Sequence, residues 1–510
     1  MKQMQRTTRH SRRGVAVAIA VAGLLAACSG GDSITSSGAD ATTTSAATDG
    51  STDPSGEVST TAAESTTTVP LDSLPACDTA ALATASGPVE ITFWHGMGGP
   101  LGEELTRLTD VYNSSQDAVK VTLVEASYEE TNDKFLQSDQ DSRPDLVQMP
   151  EYMVQAAVDT DASIPVGQCI ADADFDTSAF LPSAMSAYAT EGVQWAMPFN
   201  VSNPVLFYNK RLFEAAGLDP EVPPASLEDV RSMSEAIVAA TPGAYGISVE
   251  SGFDSGGGWY VEQWFAKAQQ FYVDADNGRS GRATSVLYND ELGVEVMTWL
   301  QQMVNDGLAV NVGDNSASGY DNLLKMADTS QPAAMTIATS ASLGPVLTVL
   351  GEGTYPNISA SDVGVGPMPG PDGLPGALIG GAALWMMNHD DPVRAAATWD
   401  YVAYLVGAQQ QSEWAVATGY VPVRTDARDL EPLAGTLAAD PRFAVAYEQL
   451  LAAPDAPTSA GPVVGPLREI RTVLASTVAA ILAGADPATA LDEAAAQSNE
   501  LIADYNSRNS

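Results

Sequence analysis

Short apolar strands alternate with helices from Val89 onward, and this alternation limits the fold more than any other feature of the sequence. A strand over 89–94 leads through a glycine-rich turn to a helix with apolar residues at helical spacing. Strands over 119–124 and 145–149 follow, with a short helix near 131–137 between them. Strand, helix, strand is the order of a parallel sheet covered by helices, so the sequence predicts an α/β fold.

The alternation repeats with other lengths further along the chain. Strands are predicted over 205–208, 333–337 and 383–387, and long helices over 226–240 and 291–305. The C-terminal third is almost wholly helical. The folded part of the chain is long enough, and has enough of these elements, to form two lobes with separate cores.

The N-terminus has the composition of an export signal. Five basic residues precede an apolar stretch over 14–25, which is shorter than the roughly 20 residues that a membrane span needs. The sequence Leu25-Ala26-Ala27-Cys28 follows and resembles the lipobox of bacterial lipoproteins. This resemblance implies a signal peptide over 1–28 and a lipid anchor on Cys28, at the outer face of the cell membrane. An ordinary signal peptide with a chance cysteine is the alternative.

Residues 29–75 are rich in Ser, Thr, Gly, Ala and Asp and contain few large apolar side chains. Such a segment buries too little surface to offset its ordering entropy, so we predict a disordered stalk. The remaining cysteines, Cys77 and Cys169, are an even pair. In an exported protein such a pair predicts a disulfide bond.

The chain is strongly acidic. The leader holds five of the 23 basic residues and none of the 64 acidic ones, which leaves 18 against 64 and a net charge of −46. A charge of this sign and size argues against nucleic acid and anionic membrane surfaces as partners.

Five short motifs occur in order over most of the folded region. They are Phe93-Trp94-His95, the run from Pro198 to Lys210, Ala334-Met335-Thr336, the run from Ile379 to Trp385, and Glu413-Trp414 with Thr418 to Pro422. With them, the chain from Val89 to Asn506 resembles the extracellular solute-binding proteins of carbohydrate-type ABC importers. Within these it is most similar to the group that binds glycerol-3-phosphate or glycerophosphodiesters.

The resemblance implies a two-lobed periplasmic-binding-protein fold of type II character, with the ligand in a cleft that closes by hinge motion. The expected lobes are 76–202 with 337–405, and 203–336 with 406–510, so the second and third hinge crossings fall near 335–340 and 395–410. It also implies a monomer that binds a small phosphate ester and delivers it to permease subunits, with no cofactor, no metal and no enzymatic activity.

The family's ligand-binding residues map onto nine positions here. A phosphate would be bound by the forked guanidinium of Arg471, by hydroxyl groups and by a backbone N–H, and a glycerol moiety by a glutamate and aromatic side chains. These positions are Tyr128, Glu151, Ser202, Trp259, Thr339, Ser340, Gly381, Tyr420 and Arg471. For each one a structural role on a surface, in a turn or in the core is the alternative, and Thr339 and Ser340 compete for one hydroxyl.

The sequence departs from the family pattern beside Trp259. A partner tryptophan is missing, and a longer, glycine-rich stretch over 251–258 replaces it. We expect the lost indole to open one wall of the pocket for a bulkier head group, such as that of glycerophosphocholine, whose cation suits aromatic faces and carboxylates.

Two other functions stay open at this point. An oligosaccharide-binding protein of the same fold would depend on aromatic platforms and not on Arg471. An extracellular phosphodiester hydrolase would need a catalytic constellation, and the sequence has no HExxH or Gly-x-Ser-x-Gly motif. The stretch over 274–278 is only faintly similar to a calcium loop, and we interpret it as a turn.

Overall fold

The computed structural model describes residues 73–315 and 319–509. The predicted signal peptide over 1–28, the lipidation site Cys28 and the stalk residues 29–72 lie outside the described residues. No helix among those described is both long and apolar enough to cross a membrane.

The first lobe is built on a six-stranded sheet with the order β2-β1-β3-β13-β4, and β7 also pairs with β13. Strands β1 to β3 are parallel, as the alternation predicted, and β13 runs antiparallel to β3, β4 and β7. The second lobe is built on a five-stranded sheet with the order β10-β9-β11-β8-β12.

The strands are β1 Val89–His95, β2 Val119–Glu125, β3 Leu146–Pro150, β4 Ser163–Ile164, β5 Ala189–Thr190, β6 Val193–Gln194, β7 Met197–Ser202, β8 Pro204–Asn209, β9 Tyr245–Val249, β10 Ala309–Asn311, β11 Ala333–Thr339, β12 Val363–Pro367 and β13 Gly380–Met387. The pair β5 and β6 forms a separate hairpin.

The helices are α1 Gly99–Ser115, α2 Tyr128–Gln137, α3 Val154–Val158, α4 Val166–Asp172, α5 Pro182–Ala187, α6 Lys210–Ala215, α7 Leu227–Ala240, α8 Trp259–Lys267, α9 Asp274–Gly278, α10 Glu291–Asn305, α11 Asp321–Met326, α12 Leu343–Gly351, α13 Pro392–Leu405, α14 Ala408–Thr418, α15 Leu433–Ala439, α16 Val445–Leu451, α17 Pro457–Ala460, α18 Leu467–Leu482 and α19 Pro487–Arg508. Short 3₁₀ segments lie at Thr79–Thr84, Glu151–Met153, Ser340–Ser342, Ala360–Asp362, Asp426–Asp429 and Pro441–Ala444.

Side-chain caps explain where several helices begin. Ser127 and Ser226 each form a capping box with the acidic residue three positions later, which satisfies backbone donors at the heads of α2 and α7. Asp391 and Asp486 cap α13 and α19 ahead of a proline in the first turn. The segment labelled α9 is a left-handed turn, because its three central residues have positive φ, and it agrees with the predicted turn over 274–278.

The chain crosses between the sheets at places that differ in part from the expected ones. The first crossing lies at Asn203, between β7 and β8. The expected boundary at 336/337 is wrong, because β11 stays in the second sheet and β12 pairs antiparallel with β8. The second crossing is the connector over 368–379, between β12 and β13.

The expected boundary at 405/406 is also wrong. Helix α14 packs on α1, so it belongs to the first lobe, and α16 packs on β8 and β12 of the second. The third crossing therefore lies after Thr418 and before Val445. The boundary at 336/337 was misplaced because β12, a short edge strand with the sequence Val-Gly-Val-Gly-Pro, was not recognised as a strand.

The predicted disulfide between Cys77 and Cys169 is present, with its Cα atoms 5.0 Å apart. It attaches the segment before β1 to α4, and the backbone N–H and hydroxyl of Thr79 both donate to Asp172 nearby. The bond closes a long loop, because its cysteines are 92 positions apart in sequence. Closing such a loop lowers the entropy of the unfolded chain.

Replacing Cys77 by serine should lower the free energy of unfolding by about 2–5 kcal/mol, because the unfolded chain regains loop entropy. Urea denaturation of both proteins, with and without dithiothreitol, measures this. Reductant should shift the wild-type midpoint to that of Cys77→Ser and leave the variant unchanged. Equal midpoints in non-reducing buffer would contradict a stabilising role for the bond.

Candidate ligand-binding site

Arg471 lies on α18, and its side chain is only 2% exposed. Its Nε and Nη2 atoms donate to the two carboxylate oxygens of Glu262 at 2.6 and 2.7 Å. Nη2 also donates to Glu151 at 3.0 Å. Glu262 is on α8 of the second lobe, whereas Glu151 follows β3 in the first lobe. The guanidinium therefore lies where the two lobes meet.

The charges around this guanidinium are closely coupled. Burial lowers the pKa of Arg471, but Glu262 and Glu151 raise it more, so the pKa lies above its ordinary value and the group stays charged. Burial raises the pKa of Glu151 above the usual range, against the attraction of Arg471. Among the described residues, none accepts a hydrogen bond from Nη1 of Arg471. That nitrogen can therefore donate to a further acceptor.

Glu262 was not among the residues predicted from the sequence. It is the only acidic residue in α8, a helix whose nine residues are all buried. A carboxylate buried in this setting requires a cationic partner, because burying an unpaired charge is unfavourable. The lone glutamate of an otherwise largely apolar helix was the available signal.

A chain of side-chain amides fixes Tyr128, at the first position of α2. The Tyr128 hydroxyl accepts from Nδ2 of Asn200 at 3.0 Å, and Oδ1 of Asn200 accepts from Gln148 at 2.7 Å. Gln148 in turn accepts from the backbone N–H of Gly96 at 2.8 Å. Asn200 is fully buried, and in the sequence it stood out only as part of the motif from Pro198 to Lys210.

Tyr420 lies next to this amide chain. Its ring stacks on Trp414, with the centroids 6.0 Å apart and an interplanar angle of 11°. Burial raises the pKa of both Tyr128 and Tyr420, so both hydroxyls stay protonated and can donate to an anion.

The structure assigns the two glycines of the β13 start to packing contacts. Gly381 has φ +96°, and a Cβ there would lie 1.9 Å from the carbonyl oxygen of Asn200. A Cβ on Gly380 would lie 2.4 Å from the Trp259 ring. Position 381 therefore requires a glycine because the backbone there passes close to Asn200.

The three hydroxyl residues near the first crossing are not brought to one point. Ser340 bonds to Asn203, since its N–H donates to the carbonyl oxygen at 2.9 Å and its Oγ accepts from the N–H at 3.3 Å. Thr339 instead lines a cavity beside Trp259. Ser202 is buried in β7. The contacts of Ser340 are those of a hinge residue.

A cavity of about 600 Å³ adjoins Trp259 on the second lobe. Its lining includes Glu250 and Tyr260, which are buried, and Asp254, which is exposed. Thr472 and Ser476 of α18 also line it. Burial raises the pKa of Glu250 to about 7. Among the described residues, the buried indole N–H of Trp259 has no hydrogen-bond acceptor. The cavity thus combines a carboxylate, an aromatic wall and an unused donor.

The glycine-rich stretch before Trp259 packs closely against α18. A Cβ on Gly257 would lie 2.6 Å from Cα of Ala475, and one on Gly258 would lie 3.0 Å from Cβ and Cγ of Arg471. The small residues therefore allow the Arg471 helix to approach.

Comparison with known proteins places the chain in a family. Residues 107–445 match the family model described as bacterial extracellular solute-binding protein. The sn-glycerol-3-phosphate-binding periplasmic protein UgpB of Yersinia pseudotuberculosis is 30% identical over 442 residues, which cover 84% of this chain and 95% of the relative. UgpB of Pectobacterium atrosepticum is 30% identical over 435 residues, which cover 82% and 93%.

Solved structures share the fold at lower identity. UgpB from Mycobacterium tuberculosis in complex with glycerophosphocholine has a TM-score of 0.63 and 20% identity, covering 83% of this chain and all of that one. The GacH receptor of Streptomyces glaucescens, solved unliganded and with acarbose and an acarbose homolog, has a TM-score of 0.64 and 20% identity, covering 82% and 99%. The chain therefore belongs to the bacterial extracellular solute-binding proteins, the two-lobed ligand-binding components of ABC importers, and is not an enzyme.

Proposed function

We propose that this protein binds sn-glycerol-3-phosphate or a glycerophosphodiester between its lobes at Arg471 and delivers it to its importer. The observation that carries the proposal is the buried guanidinium at the lobe boundary, which has one nitrogen free of hydrogen bonds to the described residues. Relatives at 30% identity that are named for glycerol-3-phosphate binding support the same ligand class.

A phosphate can enter this site because Glu262 and Glu151 differ in how they bind Arg471. Glu262 forms both of its hydrogen bonds within the second lobe, whereas Glu151 contributes one bond from the first. One phosphate oxygen can accept a hydrogen bond from Nη1, and another can replace Glu151 as the acceptor of Nη2, while Glu262 stays paired. Glu151, released or protonated at its raised pKa, is then able to bond the glycerol hydroxyls.

A cationic diester fits the neighbouring cavity better than the small monoester does. Thr472, the residue after Arg471 on α18, lines this cavity together with Ser476, Glu250 and Trp259. A quaternary ammonium group gains attraction from both the carboxylate and the indole face. We therefore favour a glycerophosphodiester with a cationic head group, such as glycerophosphocholine.

Oligosaccharide binding is the second candidate. Arg471 already has a bidentate carboxylate partner, so its charge is compensated, and a neutral sugar could bond the same groups through its hydroxyls. Structural neighbours with the same fold bind acarbose and cyclic maltosyl-maltose.

We also propose that Cys28 carries a lipid anchor that holds the protein, as a monomer, at the outer face of the membrane. The support is the Leu25-Ala26-Ala27-Cys28 sequence and the low-complexity segment after it. Intact-mass measurement of the protein from its native membrane tests this, because an unmodified Cys28 would contradict it.

Replacing Arg471 by lysine should weaken glycerol-3-phosphate and glycerophosphocholine binding about tenfold to a hundredfold, the value of one lost hydrogen bond to a charged group. Lysine still pairs with Glu262 but cannot donate in two parallel directions. Isothermal titration calorimetry measures the change. Arg468→Lys, one turn earlier on α18 and more exposed, is the matched control and should bind like wild type.

Urea denaturation of Arg471→Lys shows whether a loss of binding reflects a loss of folding. An unchanged affinity for phosphate esters in a folded Arg471→Lys would contradict the proposal. Tight binding of maltotriose by the wild type, with no binding of either phosphate ester, would favour the oligosaccharide candidate.

Glycerophosphocholine affinity should fall about tenfold from pH 8 to pH 6. Glu250, with a pKa of about 7, is ionised and attracts the cation above that pH, and it is protonated and neutral below. The free energy of a tenfold change in affinity is only a fraction of the attraction between opposite unit charges, which is roughly 4 kcal/mol at 4 Å and an effective dielectric constant of 20. Its phosphodiester does not titrate in this range.

The control for this pH effect is Glu250→Gln. It should bind glycerophosphocholine at pH 8 as the wild type does at pH 6, with a flattened pH profile. Its affinity for glycerol-3-phosphate at pH 8 should match wild type, because that ligand has no cation. Equal losses for both ligands would contradict a cation-binding role of Glu250.

A further inference from the structure

The first-lobe segment from Glu151 to Asp159 touches the second lobe at both of its ends. Glu151 pairs with Arg471 at one end, and Asp159 pairs with Arg282 and Tyr505 at the other. The segment is helical in between, so a rise of 1.5 Å per residue separates its ends by about 12 Å. The second contact is therefore too far from Arg471 to share its hydrogen-bonded ligand atoms.

Asp159 accepts hydrogen bonds from four donors. Arg282 binds it in bidentate fashion, with Nη1 to Oδ2 at 2.9 Å and Nη2 to Oδ1 at 2.6 Å. The Tyr505 hydroxyl donates to Oδ2 at 2.8 Å, and Nε2 of Gln155 to Oδ1 at 2.9 Å. The aspartate side chain is 6% exposed. We call these four side chains the Asp159 cluster.

The second lobe presents its half of the cluster in a fixed geometry. The Tyr505 ring packs on Gly465 so closely that a Cβ there would lie 2.0 Å from a ring carbon. Arg282 follows the left-handed turn over 274–278, and Arg279 at the end of that turn donates to the carbonyl oxygens of Ser186 and Ala189 in the first lobe, both at 2.8 Å. Two arginines from one turn thus reach across the lobe boundary.

We propose that the Asp159 cluster is a closure contact, remote from the ligand, that sets the affinity of the protein for its ligand. The bonds from Arg282 and Tyr505 join one lobe to the other, so they favour the closed arrangement without using ligand binding energy, whereas the bond from Gln155 holds Asp159 in place within the first lobe. Apparent affinity scales with the fraction of molecules that are competent to bind. A cluster that raises the closed fraction therefore lowers the dissociation constant.

The burial of its acceptor distinguishes the Asp159 cluster from the inter-lobe ion pair between Arg468 of α18 and Asp133. Arg468 and Asp133 lie 3.1 Å apart, but their side chains are 31% and 55% exposed. Exposed pairs of this kind contribute little, because water and salt screen them. Arg282 is as exposed as Arg468, but Asp159 is shielded, bidentately bound and also bonded to a tyrosine, so its loss removes a buried acceptor from several donors at once.

The test is Asp159→Asn in the full chain, measured by glycerol-3-phosphate titration and by amide hydrogen exchange. Affinity should fall about fivefold to fiftyfold, which lies within the usual range of coupling between separate sites. Exchange should rise around 159 and also at 151–153 and 186–189, which Arg471 and Arg279 contact across the boundary. Tyr505→Phe, which keeps the ring, should give a smaller change in the same direction.

Asp306→Asn is the matched control, because Asp306 pairs with Arg231 within the second lobe. It should alter neither affinity nor exchange at the lobe boundary. Wild-type affinity in both cluster variants, or a rise in exchange confined to the residues next to the substitution, would overturn the proposal. The inference does not depend on the ligand's identity: if wild type does not bind glycerol-3-phosphate, the proposed ligand fails, and the exchange pattern alone decides the role of the cluster.

Discussion

The structure depends on one buried cation at the boundary between its lobes. Arg471 can be there only because Glu262 neutralises it at the same depth, and Glu262 can be buried only because Arg471 is its partner. Neither residue is stable in this place alone. This mutual requirement fixes α8 against α18 within the second lobe and leaves the outer edge of the guanidinium directed at the first lobe, where Glu151 meets it.

Helix α8 connects this charge pair to the hinge. Gln263 forms two hydrogen bonds with the backbone of Leu378, at 2.7 and 3.1 Å, and the Trp264 indole donates to the carbonyl oxygen of Pro369. Leu378 and Pro369 both lie in the connector over 368–379. At the head of the helix, Trp259 packs on Gly380. One buried helix therefore contacts both the proposed ligand site and the chain crossing that must move when the cleft opens.

Local signals predicted much of the fold and only part of the site. Strand and helix alternation, caps such as Ser226 and the Cys77–Cys169 bond could be predicted because each depends on neighbouring residues or on cysteine count. The hydrogen bonds of Asn200 and the donation from Arg282 to Asp159 could not, because the partners are more than 50 positions apart in sequence. The lobe boundary at 336/337 failed for a related reason, since β12 is recognisable as a strand only by its pairing with β8.

The arginine hydrogen bonds across the lobe boundary all run in one direction, from donors on the second lobe to acceptors on the first. This direction bears on the order of the binding steps. Arg279, Arg282, Arg468 and Arg471 all belong to the second lobe, and the groups that accept from them across the boundary belong to the first. When the lobes separate, Arg471 keeps Glu262, whereas Glu151 leaves with the first lobe and becomes hydrated. The donors of Arg471 that face the cleft are then exposed on the second lobe alone. For the anionic ligand proposed above, we therefore expect binding to the second lobe first, followed by closure of the first lobe over it.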